Sequence, residues 1–480
     1  MVAPEATTRP HVDTARGLGS IVATSGFEED DPTMQERLVW ESRALSELVR
    51  LGGPIAAATV SNSAMTFVNT LFVSWLGPAS LAGLALGGVT FFFTACFSVG
   101  LLRSCRLAVS HAAGAGRREE GGRYLVAALL LAAVLSALTM AAGLLGAPLL
   151  AGLASTPAAG DTAVTYFRVR LIGFPLWLAA VAVRAACHGM GSARGPMLAT
   201  LAGNLTNGVL SYVFVFTLEG GVSGAAWAAN VGALVEAAAL LPLQWRLVAT
   251  SMSGVRPAHL RTLWRIGLPL GSQYVVEVGS FAVLTAMISS LSEVEMGAHQ
   301  IAMQTLNLSF LPAFALSDAA SVLVGQAVGA RRDDLVHTVA RHAVLTAGAY
   351  ALLCASVLWL LGEQLAGWFT QDPHLAALTV RLFQVMALFQ LFDAANVVAR
   401  GVLRGTGDVT VPAMIGMALA WGCTPPMMWL LGYQAGWGVL GGWIGFCFEI
   451  AVGAALLWWR LRREHWRGAA ERSRREQAVG

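Results

Sequence analysis

The chain is 480 residues long, 56% hydrophobic and only 12% charged, with a mean hydropathy of +0.63. Soluble domains carry about 25% charged residues, so one large soluble core is excluded. All 31 basic residues are arginine and the net charge is +3. The basic clusters flank apolar segments without interleaved exposed aromatics, which argues against a nucleic-acid partner.

The first 45 residues are polar, with an acidic run from Glu28 to Asp31. They lack the basic start, short apolar region and cleavage site of a signal peptide. We expect 1–45 to form a loosely ordered cytoplasmic tail. Apolar segments follow at about 48–75, 79–102, 124–147, 163–187, 197–217, 224–246, 263–291, 296–326, 338–361, 374–399, 409–432 and 437–459. About 20 apolar residues cross a bilayer, and several segments are longer, which implies tilt or protruding ends. Only helices satisfy the backbone in lipid at this length and pattern. The sequence therefore predicts an all-α membrane protein with twelve transmembrane helices.

The even-numbered connections are basic: Arg103, Arg106, Arg117, Arg118 and Arg123, then His188 and Arg194, then Arg246, Arg256, Arg261 and Arg265, then Arg331, Arg332 and Arg341, then Arg404. The odd-numbered ones carry Asp161, Glu219, Glu293, Glu295, Glu363 and Asp372. The positive-inside rule places both termini in the cytoplasm of a cell (inner) membrane. The six cysteines lie in or beside apolar runs without metal-ligand spacing, so apolar packing is expected of them. No cofactor is expected. "NLT" at 204 and "NLS" at 307 fall inside apolar segments, which makes their match to a glycosylation pattern spurious.

The two halves repeat. Pro54 in "LGGP" and Pro269 in "IGLP" stand 215 positions apart, "VSHAAGAGRREE" at 109 aligns with "VGQAVGARRDD" at 324 by the same offset, and Pro196 of "HGMGSARGP" aligns with Pro412 of "RGTGDVTVP" at 216. The offset contains six spans, so both halves have one orientation. This predicts two six-helix bundles related by a pseudo-two-fold axis along the membrane normal, with a cleft between them. The expected divisions are the 1–45 tail, an N-terminal bundle over 46–250, a C-terminal bundle over 251–462 and a cytoplasmic tail over 463–480.

Polar residues recur at helical spacing inside several spans: Asn62, Thr66 and Asn69; Asn204, Asn207 and Ser211; Gln273, Glu277 and Ser280; Gln300, Gln304 and Asn307; Gln390, Asp393 and Asn396. Such stripes line a hydrated pocket or hydrogen-bond helices together. An ionised residue at mid-bilayer costs at least about 2.5–3.5 kcal/mol, and neither Glu277 nor Asp393 has a cation beside it in sequence. These two acids are the candidates for coupling to a proton, or to sodium held with Asn or Gln carbonyls. Glu236 and Glu449, at repeat-related positions, read as scaffold, and Arg184 and Arg400 as anchors or loop caps. Pro54, Pro175, Pro269 and Pro312 can bend their helices.

The stretches "GPASLAGLALG", "AHQIAMQTLNLSFLPAFALSDAASVLVGQAVGARR" and "RGTGD" resemble the multidrug and toxic compound extrusion (MATE) family, over about 48–460. The resemblance implies two bundles around a V-shaped cavity and a monomer that exports amphiphilic, often cationic compounds in exchange for protons or sodium ions. It places a functional Glu on Glu277 ("VVEVGSF") and a functional Asp on Asp393 ("FQLFDAANVV"). Some sodium-coupled members have Tyr four residues before that Asp, where this chain has Phe389. Many carry an Asp in span one where this chain has Asn69, and span five, which often carries an acid or amide, has Ser211 there. Spans two and eight would face each other, so Arg103 and Asp318, equivalent by the 215 offset, could pair as a gate or be solvated separately. Gln273, Gln304, Asn307, Phe389, Gln390, Asn396, Asn62, Asn69, Asn204 and Asn207 are the candidate cavity residues. A flippase or exporter of a lipid-linked or secreted metabolite shares this architecture and is the alternative. A membrane enzyme would need acids or histidines clustered near a donor site, and the outer loops look too plain for that.

Overall fold

The computed structural model describes residue 38 and residues 40–154 and 156–479, so the expected N-terminal tail lies, up to residue 37, outside the described residues. Twelve long helices follow one another: α1 (Ala44–Ser74), α2 (Pro78–Gly114), α3 (Arg118–Gly146), α4 (Pro157–Gly189), α5 (Arg194–Tyr212), α6 (Gly221–Ser251), α7 (Pro257–Ser289), α8 (Glu293–Gly329), α9 (Leu335–Leu360), α10 (Pro373–Gly405), α11 (Thr410–Gly422) and α12 (Val439–Arg462). A thirteenth, α13 (Arg467–Val479), closes the chain. Local signals set the starts. Pro157 and Pro373 occupy first-turn positions where a missing N–H costs nothing, and Thr156 and Asp372 accept from the backbone N–H groups of Ala159 and His374. Glycines with positive φ follow α4 and α10 at repeat-equivalent positions, Gly191 (φ +80°) and Gly407 (φ +87°), where a side chain would be strained.

Eleven helices are long and apolar enough to cross a membrane among the described residues. α1 is long enough at 31 residues, but Ser61, Asn62, Ser63, Thr66, Asn69 and Thr70 dilute its hydropathy. Both α5 and α11 run on into wide π-helical turns, over Val213–Thr217 and Met428–Gln434, whose first residues are 215 apart. Two spans extend further at their C-terminal ends than hydropathy indicates: α2 ends at Gly114 instead of 102, and α10 at Gly405 instead of 399. Arg103, Arg106 and Arg404 thus lie inside helices and not in connections. Hydropathy scores a guanidinium as if it faced lipid, whereas Arg106 and Arg404 are buried against a carboxylate within the protein.

The helix pairs reproduce the repeat. α2 packs on α4 as α8 packs on α10; α4 on α6 as α10 on α12; and α1 on α5 as α7 on α11. The fold is that of twelve transmembrane helices in two six-helix bundles related by a pseudo-two-fold axis along the membrane normal. Between bundles, α1 meets α8, and α2 meets α7 and α8. Glycine permits the closest crossing: a Cβ on Gly100 of α2 would stand 2.7 Å from the Gly271 Cα of α7, and one on Gly271 would stand 2.7 Å from the Phe97 carbonyl oxygen. This crossing, and the ends of α2 and α8 beyond it, seal the cleft on the side where the described chain begins and ends. We call it the terminus side.

Candidate functional site

The seal on the terminus side is reciprocal. His111 of α2 donates from Nε2 to the Gly405 carbonyl at the end of α10, 2.7 Å away. Its repeat equivalent, Gln326 of α8, donates to the Gly189 carbonyl at the end of α4, 3.3 Å away. Each latch is covered by a chain end. Trp40 donates to Gln326 Oε1 (2.9 Å), and Ser473 of α13 donates to His111 Nδ1 (2.8 Å). Arg332 adds an ion pair to Glu41 (2.6 Å), and Arg474 and Arg265 bind Asp333 and Glu476. Arg332 also pairs with Asp334 at 2.8 Å, which holds the Asp334 carboxyl below its ordinary range. The quoted repeat motifs contain His111 and Gln326, so the signal was present. What sequence could not supply was the partner, a backbone carbonyl in the other half.

On the other side of the seal lies a cavity of about 800 Å³ lined by both polar and apolar side chains. Of the expected cavity residues, Asn62, Asn69, Asn204, Asn207 and Asn307 line it, together with Arg170, Arg184 and Glu236. The amides of α1 and α5 are joined: Asn204 donates to Ser61 (2.8 Å) and Asn62 (2.9 Å), and Ser211 bonds Asn69 (2.8 Å) and Asn207 (3.1 Å). These stripes therefore both tie two helices together and present polar atoms to the cavity. Gln273, Gln304, Phe389, Gln390 and Asn396 do not line this cavity. Gln273 donates to Glu277 (2.9 Å), Gln390 bonds Ser309, and Asn396 donates to the Ile450 carbonyl (3.2 Å). Gln304 is exposed, and Phe389 is buried against Phe446 with ring centroids 4.6 Å apart.

Deeper, at the seal, is a second chamber of about 180 Å³ lined by Arg103, Arg106, Arg184, His188, Phe314 and Asp318 among others. It shares Asn62 and Arg184 with the larger cavity. The expected Arg103–Asp318 gate is corrected here. Asp318 is buried and pairs with Arg106 of α2 at 2.5 Å and with Arg404 of α10 at 3.3 Å. Arg103, one turn before Arg106, instead stacks its guanidinium on Tyr274 and Phe314, 5.3 and 4.9 Å from the ring centroids. A charge across the cleft is joined, as the 215 offset suggested, but by the next turn of the helix.

The coupling candidates occupy the second bundle. Asp393 is 4% exposed and forms no hydrogen bond or ion pair with another described residue. Glu277, expected to lack a cation, pairs with Arg400 at 2.6 Å. No cation is near Glu277 in sequence because its partner sits three helices later. The same arginine lies within electrostatic reach of Glu449 and Asp393. Glu449 is hydrogen-bonded by Thr424. In the first bundle Arg184 pairs with Glu236, and Thr200 completes the group, donating to Glu236 at 2.7 Å. Arg184 and Arg400 are thus intramembrane counter-ions, not the loop anchors or caps expected of them. Among the described residues no three His, Cys, Asp or Glu side chains converge as a metal site. A sodium ion here would rely on amide, hydroxyl and carbonyl oxygens beside the acids.

Two repeat-related bundles, sealed at one end around a cavity of mixed polar and apolar lining, with acids buried in both halves, define a transporter of the alternating-access type. The chain belongs to the MatE family, whose profile matches residues 54–213 and 269–430. It is 31% identical over 449 residues to a probable multidrug resistance protein NorM of Pseudomonas syringae pv. tomato, covering 88% of this chain and 97% of that protein. It is 29% identical to the multidrug resistance protein PmpM of Pseudomonas aeruginosa, covering 87% and 91%. Among solved structures it matches a MOP superfamily transporter from Pyrococcus furiosus with a TM-score of 0.82 at 21% identity, covering 88% and 97%. An outward-facing multidrug resistance MATE family transporter matches with the same score, identity and coverage. The chain is a multi-pass membrane protein of a transporter family.

Proposed function

We propose that the chain is a multidrug efflux antiporter that carries small amphiphilic compounds out of the cell in exchange for protons or sodium ions. It acts as a monomer, in the lipid of the cell membrane, with both termini cytoplasmic. The arginines concentrated on the terminus side favour that orientation. The domain limits that go with it are bundles over 46–250 and 251–462, with tails over 1–45 and 463–480. The seal then closes the cytoplasmic side, and the 800 Å³ cavity faces outward.

One observation carries the exchange. In the second bundle three acids, Glu277, Asp393 and Glu449, share the field of one arginine, and Asp393 has no partner of its own among the described residues. A small cation at Asp393 removes a buried charge that the protein leaves uncompensated. Ion occupancy therefore biases the packing of α7 and α10, which is the requirement for a ligand to shift a two-state element. A proton gradient contributes about 1.4 kcal/mol per pH unit, and a potential of 100 mV contributes about 2.3 kcal/mol per charge moved.

Dye efflux from proteoliposomes, driven by an imposed pH or sodium gradient, tests this reading. Glu277→Gln and Asp393→Asn are each expected to abolish gradient-driven efflux at least ten-fold while leaving dye binding in place. Efflux by both variants at the native rate rules the coupling role out, and the gradient that drives the wild type identifies the ion.

A further inference from the structure

We propose that the small chamber at the seal is an anion subsite, and that the cargo is an amphiphile carrying a carboxylate or a similar anionic group beside its apolar body. The proposal rests on the export reading and adds the chemical class of the cargo.

Arg106 and Arg404 share the single carboxylate of Asp318, and Arg184 is matched by Glu236. Arg103 forms no ion pair and no hydrogen bond among the described residues; it makes two ring contacts and lies within electrostatic reach of Asp318. Four guanidinium groups therefore face two carboxylates at the apex of the cleft, which leaves two positive charges unmatched. His188, whose ring makes no hydrogen bond among the described residues, also lines this chamber. Unmatched charge at a partly buried site is unfavourable unless something completes it, and guanidinium groups match carboxylates in geometry as well as in charge.

Space and continuity point the same way. A chamber of about 180 Å³ holds a carboxylate, sulfonate or phosphate group but not a drug-sized body. The neighbouring cavity of about 800 Å³ is large enough for the body, and Asn62 and Arg184 line both volumes. Phe314 and Tyr274 hold the Arg103 guanidinium through ring contacts and not through hydrogen-bond acceptors, so its N–H groups have no acceptor among the described residues. One molecule can thus place its apolar part against Leu84, Val89 and Phe92 in the larger cavity and its anionic end against Arg103. Binding would also tie α2 to α7 and α8 through that anion, on the sealed side of the cleft.

The test uses the full chain in detergent and rhodamine B, whose free carboxylate makes it zwitterionic, beside its ethyl ester, a cation with the same ring system. Fluorescence anisotropy gives both dissociation constants. The wild type is expected to bind the acid more tightly than the ester. Arg103→Gln should weaken the acid at least ten-fold, about 1.4 kcal/mol, and the ester less than two-fold. Arg103→Lys keeps the charge and should recover most of the acid's affinity. Equal losses for both dyes, or a wild type that binds and exports the ester but not the acid, overturn the anion subsite and leave the export reading standing. A wild type that binds neither dye overturns both.

Discussion

The alternating-access reading requires the crossing of α2 and α7 to be tight in one state and relaxed in the other, and Gly271→Ala tests that. A Cβ at Gly271 would lie 2.7 Å from the Phe97 carbonyl oxygen and 3.0 and 3.2 Å from the Phe97 ring, against 3.4 Å where ordinary contact begins. The new methyl group is thus short of room by 0.7 Å (3.4 − 2.7) against a backbone atom, which cannot swing aside. Overpacking of this kind costs about 1–3 kcal/mol. The gain in helix propensity from glycine to alanine, about 0.5–1 kcal/mol, applies in both states and cancels. The full cost therefore falls on the sealed state and shifts the equilibrium about 5- to 150-fold toward the state open at the terminus side. Spin labels at Arg118→Cys and Arg341→Cys, both exposed and in opposite halves, report the opening by pulsed EPR in a background without the native cysteines. The variant should add a longer-distance population that dominates, whereas Gly53→Ala on α1, where a Cβ meets nothing within 4 Å, should not. A Gly271→Ala distribution identical to its parent would refute the idea that this crossing is the moving seal.

Two further outcomes follow from the side-chain geometry. Removing one latch by His111→Ala or Gln326→Ala deletes a bond of about 1 kcal/mol net that exists only while the terminus side is closed; each should move the same EPR distribution toward the longer distance, and the double variant further. Glu236→Gln leaves the Arg184 guanidinium without its carboxylate. It should destabilise the first bundle by about 3 kcal/mol, read as a lower thermal midpoint in detergent, with ion selectivity of the remaining efflux unchanged.

Much of this architecture was legible because the bilayer restricts the choices. Length and apolarity gave the twelve spans, and the anchors at offsets of 215 and 216 gave two parallel halves. The ends of α2 and α10 were not legible: hydropathy stops at Arg103 and before Arg404, while the helices continue because Asp318 compensates Arg106 and Arg404. The amide stripes of α1 and α5 were visible at helical spacing, and their mutual bonding needed only the two helices to be neighbours. Pairing of charges was the least legible property. Glu277 and Arg400 are 123 positions apart, and Asp318 selects Arg106 over Arg103 by one helical turn. No local pattern encodes either choice, because each depends on how far one helix slides past another.

The repeat is most informative where its halves differ. Arg184 and Arg400 hold the same position, as do Glu236 and Glu449 within a small gap. In the first half the pair closes on itself: Arg184 binds Glu236, and Thr200 supports the carboxylate. In the second half Arg400 turns to Glu277 on α7, Glu449 turns to Thr424, and Arg400 Nε is buried without a partner. The difference at this position lies in Thr200, whose equivalent 216 residues on is Gly416. That glycine leaves open the space into which Glu277 and Arg400 reach: a Cβ there would stand 2.6 Å from Glu277 Oε1 and 3.3 Å from the arginine. On the coupling reading proposed above, the closed pair of the first half takes up no ion, whereas the three acids sharing one arginine do. The repeat thus supplies both bundles with an arginine at this position, and where the second half has Gly416 in place of a threonine, Arg400 reaches Glu277. Gly416→Thr is the direct check. It should displace Arg400 from Glu277, lower the stability of the second bundle by leaving that carboxylate without its arginine, and cut ion-driven efflux; normal coupling in that variant would show that the shared arginine is not what distinguishes the two halves.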